Sequence, residues 1–147
     1  MKIKRWWVAA LVCFGLWPSA YAQVTVDRAW ARTTVPHQMS SGAFMRITAQ
    51  KDVRLTGVRS PVAGVVEVHE MKMDNGIMRM RPVGELPIKA GQSIELKSGG
   101  YHLMMMDLKQ QLKAGEIVPL TLEFKTPDGS VSKVEVKAVA AFTQPAP

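Results

Sequence analysis

A chain of 147 residues with a net charge of +7 and a single cysteine has the length of one packed domain. The positive charges are interspersed rather than run together, which does not argue for nucleic acid. One cysteine leaves no room for a zinc ribbon or a dithiol redox centre.

The chain begins with Lys2, Lys4 and Arg5, followed by an apolar run from Trp6 to Trp17. That run is short for a bilayer span. Pro18-Ser19 break it, and Ala20-Tyr21-Ala22 gives the small-x-small pattern of a signal-peptidase site. Residues 1–22 are predicted to be a cleaved export leader, with Gln23 first in the mature chain. Cys13 lies inside the apolar run behind Val12, is not read as a lipid-attachment site, and leaves with the leader. The mature chain then has no thiol, so no disulfide and no thiolate of a blue-copper site. Three of the 19 basic residues leave as well, so 16 face 12 acidic ones and the mature charge is +4.

Beyond the leader, apolar and polar residues alternate with a period of two. Val24 and Val26 open a strand running toward Trp30. Thr33 to Gly42 reads as a loop. Ala43, Met45 and Ile47 share one strand face, and Val53 and Leu55 begin another strand that Ser60-Pro61 ends. Val65 to Met73 forms the next strand. Asp74-Asn75-Gly76 then predicts a tight hairpin, because Asn and Gly accept the positive φ it needs. Ile77 to Val83 returns, and Leu86 to Gly91 reads as a loop or single turn. Ile94 and Leu96 alternate with charged neighbours, Ser98-Gly99-Gly100 turns the chain, and His102 to Leu108 is a strand. Lys109 to Gly115 is polar and reads as a loop. Val118, Leu120, Leu122 and Phe124 alternate cleanly. Thr126 to Gly129 predicts a second hairpin turn, and Val134, Val136 and Ala138 pattern the last strand. About eight or nine short strands without a convincing helix predict an antiparallel β-sandwich or barrel over 23–142. Residues 143–147 are expected to be a short flexible tail.

The chemistry of the chain concentrates in His69, Met80, His102 and Met104. Soft thioethers suit Cu(I), and imidazole suits several transition metals including copper. A two-residue Asn75-Gly76 loop sets Met71 opposite Met80 and His69 opposite Pro82. His69 and Met80 are then diagonal neighbours on one face. His102 and Met104 share a face because residues i and i+2 do. Met71 is a rival or auxiliary ligand to Met80. Met45, Met73, Met78, Met105 and Met106 are read as adaptable core filling. His37, in a loop beside Met39, is read as unligated.

The spacing His69, ten residues, Met80, twenty-one residues, His102, one residue, Met104 resembles that of the periplasmic copper chaperones of the PCuAC type. So do Ala29-Trp30-Ala31-Arg32, His69-Glu70-Met71, Met78 to Val83, Gly99-Gly100 before His102-Leu103-Met104, and Val118 to Leu122. The resemblance covers nearly the whole mature chain. It implies a cupredoxin-like β-sandwich or Greek-key barrel that binds one Cu(I) through His69, Met80, His102 and Met104. It further implies periplasmic delivery of copper to haem-copper respiratory oxidases, toward the CuA centre, with an oxidase subunit or another copper chaperone as partner. Some members of that family carry a His- and Met-rich tail. This chain ends AFTQPAP, so a second copper site of that kind is not expected. The expected protein is a monomer without a membrane anchor after cleavage, and it is not an enzyme. No activated nucleophile, paired catalytic carboxylates or His-rich zinc set is evident. A copper buffer using the same site, or a scaffolding sandwich whose methionines are core, are the alternatives.

Overall fold

A computed structural model describes residues 23–146 of the chain. The leader and cleavage site expected over 1–22, and Pro147 of the expected tail, lie outside the described residues. Among these residues every regular element is a strand. They are β1 (Val24–Arg32), β2 (Ser40–Ala49), β3 (Val53–Arg59), β4 (Ala63–Asp74), β5 (Ile77–Pro82), β6 (Leu86–Ile88), β7 (Ser93–Leu96), β8 (Tyr101–Leu108), β9 (Ile117–Lys125) and β10 (Val131–Ala141).

Seven of them close on themselves in the order β1-β2-β8-β4-β3-β9-β10, with β10 returning to β1. The closing contact between β3 and β4 is a single pair, Val58 with Val66. Closure gives each of these seven strands a partner on both sides, which limits the free edges that would template unwanted pairing. β5, β6 and β7 attach to β4, β3 and β2 respectively.

The alternation read from the sequence decides what fills this barrel. Val118, Leu120, Leu122 and Phe124 of β9 are all buried, and the residues between them are not. Ala43, Met45 and Ile47 of β2, Leu103 and Met105 of β8, and Val66 and Val68 of β4 complete the interior from the other side. Met45 and Met105 are therefore core filling, as expected.

Four details depart from the sequence reading. Leu86–Ile88 is a short strand against β3 rather than a loop, because Leu86 and Ile88 point into the core across Leu55 and Val53. β2 starts at Ser40, two residues before the end of the expected loop, where Ser40 to Ala43 pair with β8. One ladder is parallel, Trp30 to Arg32 of β1 against Val139 to Ala141 of β10, where the first and last described strands meet in the circuit. Finally, Met73 and Met78 are exposed, and Met106 is half-buried on the outer face of β8, so these three are not core. The β4–β5 hairpin runs on past Glu70, the last β4 residue paired with β8, so no second layer covers it.

The hairpin's register follows from its turn. Asn75 and Gly76 have φ of 49° and 79°, the left-handed conformation of a two-residue loop matched to strand twist. Met71 accordingly faces Met80, and His69 faces Pro82.

Candidate metal centre

The segments carrying His69 and His102 are neighbours. β4 and β8 pair antiparallel with His69 directly opposite His102, and Glu67 directly opposite Met104. Residues directly opposite in a ladder project to the same side. Leu103 and Met105 point inward, so His102 and Met104 lie on the outer side, together with His69, Glu67 and Met71. On the far side of β8, Gly42 of β2 stands opposite Met104. On the far side of β4, β5 brings Met80 opposite Met71. One outer surface across four strands thus collects the two imidazoles and the thioethers.

The two rings have their centres 6.0 Å apart, inclined at 58°. Each uses one nitrogen on a protein oxygen. His69 Nε2 lies 3.0 Å from Glu67 Oε2, and His102 Nδ1 lies 3.1 Å from the Gly100 carbonyl oxygen. An ionised carboxylate and a carbonyl only accept, so in the neutral rings those two nitrogens carry the proton. The lone pairs are left on His69 Nδ1 and His102 Nε2. His69 Nδ1 is buried and has no hydrogen-bond partner among the described residues. A buried polar atom without a partner is unfavourable unless something else satisfies it. Metal-ligating histidines show this arrangement, one nitrogen donating to a carboxylate or carbonyl and the other free.

His102 is itself buried and adjoins Phe44, whose ring centre lies 6.4 Å away. Phe44 stacks on Trp30 at 4.6 Å and carries the Arg32 guanidinium 5.5 Å from its ring centre. These rings wall the site on the β2 side. A cleft of about 250 Å³ opens beside them, lined by Met71, Met80, His102 and Met104 together with Gln38 and Ser98-Gly99. Three of the four predicted ligands and the auxiliary Met71 therefore share one cavity. His69 is not among its lining residues and adjoins it through His102. Met80 is 50% exposed, whereas His102 is 6% exposed, so the nitrogen side is the closed side and the β5 sulfur the open one.

Among the described residues no group of three or more His, Cys, Asp or Glu side chains is arranged to hold a metal ion by itself. A metal held here would have to be one that accepts sulfur, and thioethers select Cu(I). His37 lies in the loop between β1 and β2 with φ of 67° and does not line the cleft.

Sequence reasoning overlooked Glu67, Gly42 and Phe44. Glu67 was within reach, since residues i and i+2 of a strand share a face and Glu67 precedes His69 by two. Gly42 arrives through the β2–β8 ladder and Phe44 follows it on the same strand against His102, placements for which the local sequence carries no signal.

Residues 24–139 match the LpqE-like family model. The Leifsonia xyli subsp. xyli protein Lxx21020, which carries a lipoprotein designation, is 32% identical over 114 residues, 77% of this chain and 68% of that protein. Among solved structures, the copper-bound PCuAC domain from PmoF2 superposes with a TM-score of 0.65 at 18% identity, covering 82% of this chain and 94% of that one. At that identity the likeness speaks for the fold, which is the expected cupredoxin-like one. The solution structure of CuI-DR1885 from Deinococcus radiodurans is 28% identical, with a TM-score of 0.54 over 76% of this chain and 74% of that one.

Proposed function

This chain belongs to the LpqE-like family, and from that premise and the geometry above we propose that it is an exported carrier of Cu(I). Its site is His69, Met80, His102 and Met104, with Met71 as an auxiliary thioether. The observation that carries the reading is the facing pair of imidazoles, each oriented by a protein oxygen and each left with one lone pair, beside a cleft lined by methionine sulfur. Copper-bound neighbours of the same fold, one of them a Cu(I) form at 28% identity, support it.

The chemistry follows from the donors. Two imidazoles and two thioethers are all neutral, and with no anionic ligand they favour the monovalent ion. The cargo keeps its charge, and no cysteine stands among the described residues to supply the thiolate of a blue-copper redox centre. Glu67 and the Gly100 carbonyl hold the rings in place before the ion arrives, so little ordering remains at binding. The exposed Met80 is the donor an acceptor can displace first, while buried His102 is the last to leave.

The acceptor we propose is a copper-binding subunit of a haem-copper oxidase, at its CuA centre, or a second copper chaperone. In this reading the carrier is exported through a leader cut after Ala22, acts in the periplasm, and works as a monomer. The lipoprotein designation of a relative agrees with export. A carrier for one Cu(I) needs no catalytic residues, and none are assigned. Anaerobic Cu(I) titration with X-ray absorption tests the site: one ion per chain with two nitrogen and two sulfur neighbours is expected. Met104→Ala should weaken binding and leave the fold intact, and unchanged affinity would remove Met104 from the site. Impaired oxidase assembly with normal copper tolerance in a deletion strain separates delivery from buffering.

A further inference from the structure

The β4–β5 hairpin divides its residues by chemistry. Its two faces are set by the register Asp74–Ile77, Met73–Met78, Lys72–Arg79, Met71–Met80, Glu70–Arg81, His69–Pro82. One face carries Met73, Met78, Met71 and Met80, in two cross-strand pairs. The other carries the charges, where Arg81 binds Glu70 at 2.8 Å and Arg79 lies 3.4 Å from Asp74. The Met71–Met80 pair lines the cleft of the proposed site. The Met73–Met78 pair lies beyond it toward the hairpin tip, with Met73 59% and Met78 47% exposed. Single exposed apolar residues need no explanation, but two in register, both thioethers and continuous with a thioether-lined cleft, do.

We propose that Met73 and Met78 form an outer Cu(I) station, and that the ion passes between it and the inner site along a methionine ladder. This rests on the inner-site reading above. Cβ atoms of a cross-strand pair lie ~4.5–5.5 Å apart, close enough for two flexible methionines to bring both sulfurs onto one ion. Successive pairs on one face are spaced two residues along the strand, about 7 Å, which two such side chains span by changing rotamer. Each step forms one copper–sulfur bond to the next thioether while a bond to a donor behind it breaks, and on leaving the inner site these broken bonds include those to the two imidazole nitrogens. The ion stays monovalent, and neither proton nor electron is exchanged. Both hairpin carboxylates are engaged by arginine on the opposite face, so neither competes for the ion on the thioether face.

The test uses the mature protein with isotope-labelled methionine methyl groups and Ag(I), a diamagnetic stand-in for Cu(I). The first equivalent should shift the Met80 and Met104 methyls, and excess Ag(I) should then shift Met73 and Met78. In the Met73→Leu/Met78→Leu protein, inner affinity should be unchanged. Transfer of Cu(I) to a small chelator should be about tenfold slower, ~1.4 kcal/mol on the barrier. Met73 and Met78 methyls that stay still at excess Ag(I), or an unchanged transfer rate, overturn the ladder. A double variant that slows transfer only to a protein acceptor also overturns it, in favour of a docking patch. His102→Ala keeps the two readings apart. It should abolish the first-equivalent shifts while Met73 and Met78 still respond. If His102→Ala leaves the first-equivalent shifts intact, it is the inner-site assignment that fails.

Discussion

Removing the Glu67 carboxylate tests whether the paired imidazoles are preorganised. Glu67 Oε2 accepts a hydrogen bond from His69 Nε2–H at 3.0 Å and so keeps the lone pair on Nδ1, the buried atom without a partner among the described residues. In Glu67→Ala the other tautomer becomes competitive, and its Nδ1–H cannot bind a metal. Losing such an orienting partner lowers metal affinity ~10–100-fold. His69 is 13% exposed but Glu67 is 46% exposed, so water replaces part of what the carboxylate did. The lower end applies, about tenfold or ~1.4 kcal/mol. Glu67→Gln retains an acceptor oxygen and should lose less. The assay is anaerobic competition with a Cu(I)-specific chelator, run as a double-mutant cycle with His69→Ala. If Glu67 acts through His69, its removal should have no further effect once His69 is gone. An equal loss in both backgrounds would refute the reasoning and shift the role of Glu67 to Met104, its neighbour across the ladder.

Three further outcomes are expected. In Gly42→Ala the new Cβ would sit 2.8 Å from Phe44 Cζ, inside the wall of the site, and such overpacking should cost about 1–3 kcal/mol in urea unfolding. A midpoint equal to that of the parent would show that the ring moves aside freely. Phe124→Ala empties a fully buried core position and should lose about 3–5 kcal/mol, read by the same unfolding curves, with a smaller loss meaning that β9 collapses into the space. The Thr126 hydroxyl, and then the Ser130 backbone N–H, hold the Asp128 carboxyl down to about 2 from 3.8. Its folded pKa lies below its unfolded one, so its contribution is present above ~3.8 and lost as pH falls toward ~2. Asp128→Ala should flatten the acid-side dependence of thermal stability in that window, and an unchanged slope would show the hydrogen bonds to be inconsequential.

Much of the barrel could be read from residues two apart. The period of two in β9 and β10 named the core face, and Asn75-Gly76 set the register of the β4–β5 hairpin. Both depend on backbone geometry over a few residues, which local chemistry dictates. Burial was read less well for Met73 and Met78. Alternation tells which residues share a face, but not whether another layer covers that face, and here none does.

Local chemistry was enough to say that this chain makes strands and where its tight turns fall, and it nominated His69, Met80, His102 and Met104 as candidate donors for a soft ion. That His69 stands against His102 was decided elsewhere. Their ladder depends on β8 entering between β2 and β4, which in turn depends on the circuit from β1 to β10 closing. No local window contains that information, because the partners of each strand are chosen by burying the whole interior at once. Even the free lone pair on His69 Nδ1 is a product of that assembly, since the ring is buried against β8 only once the barrel has formed.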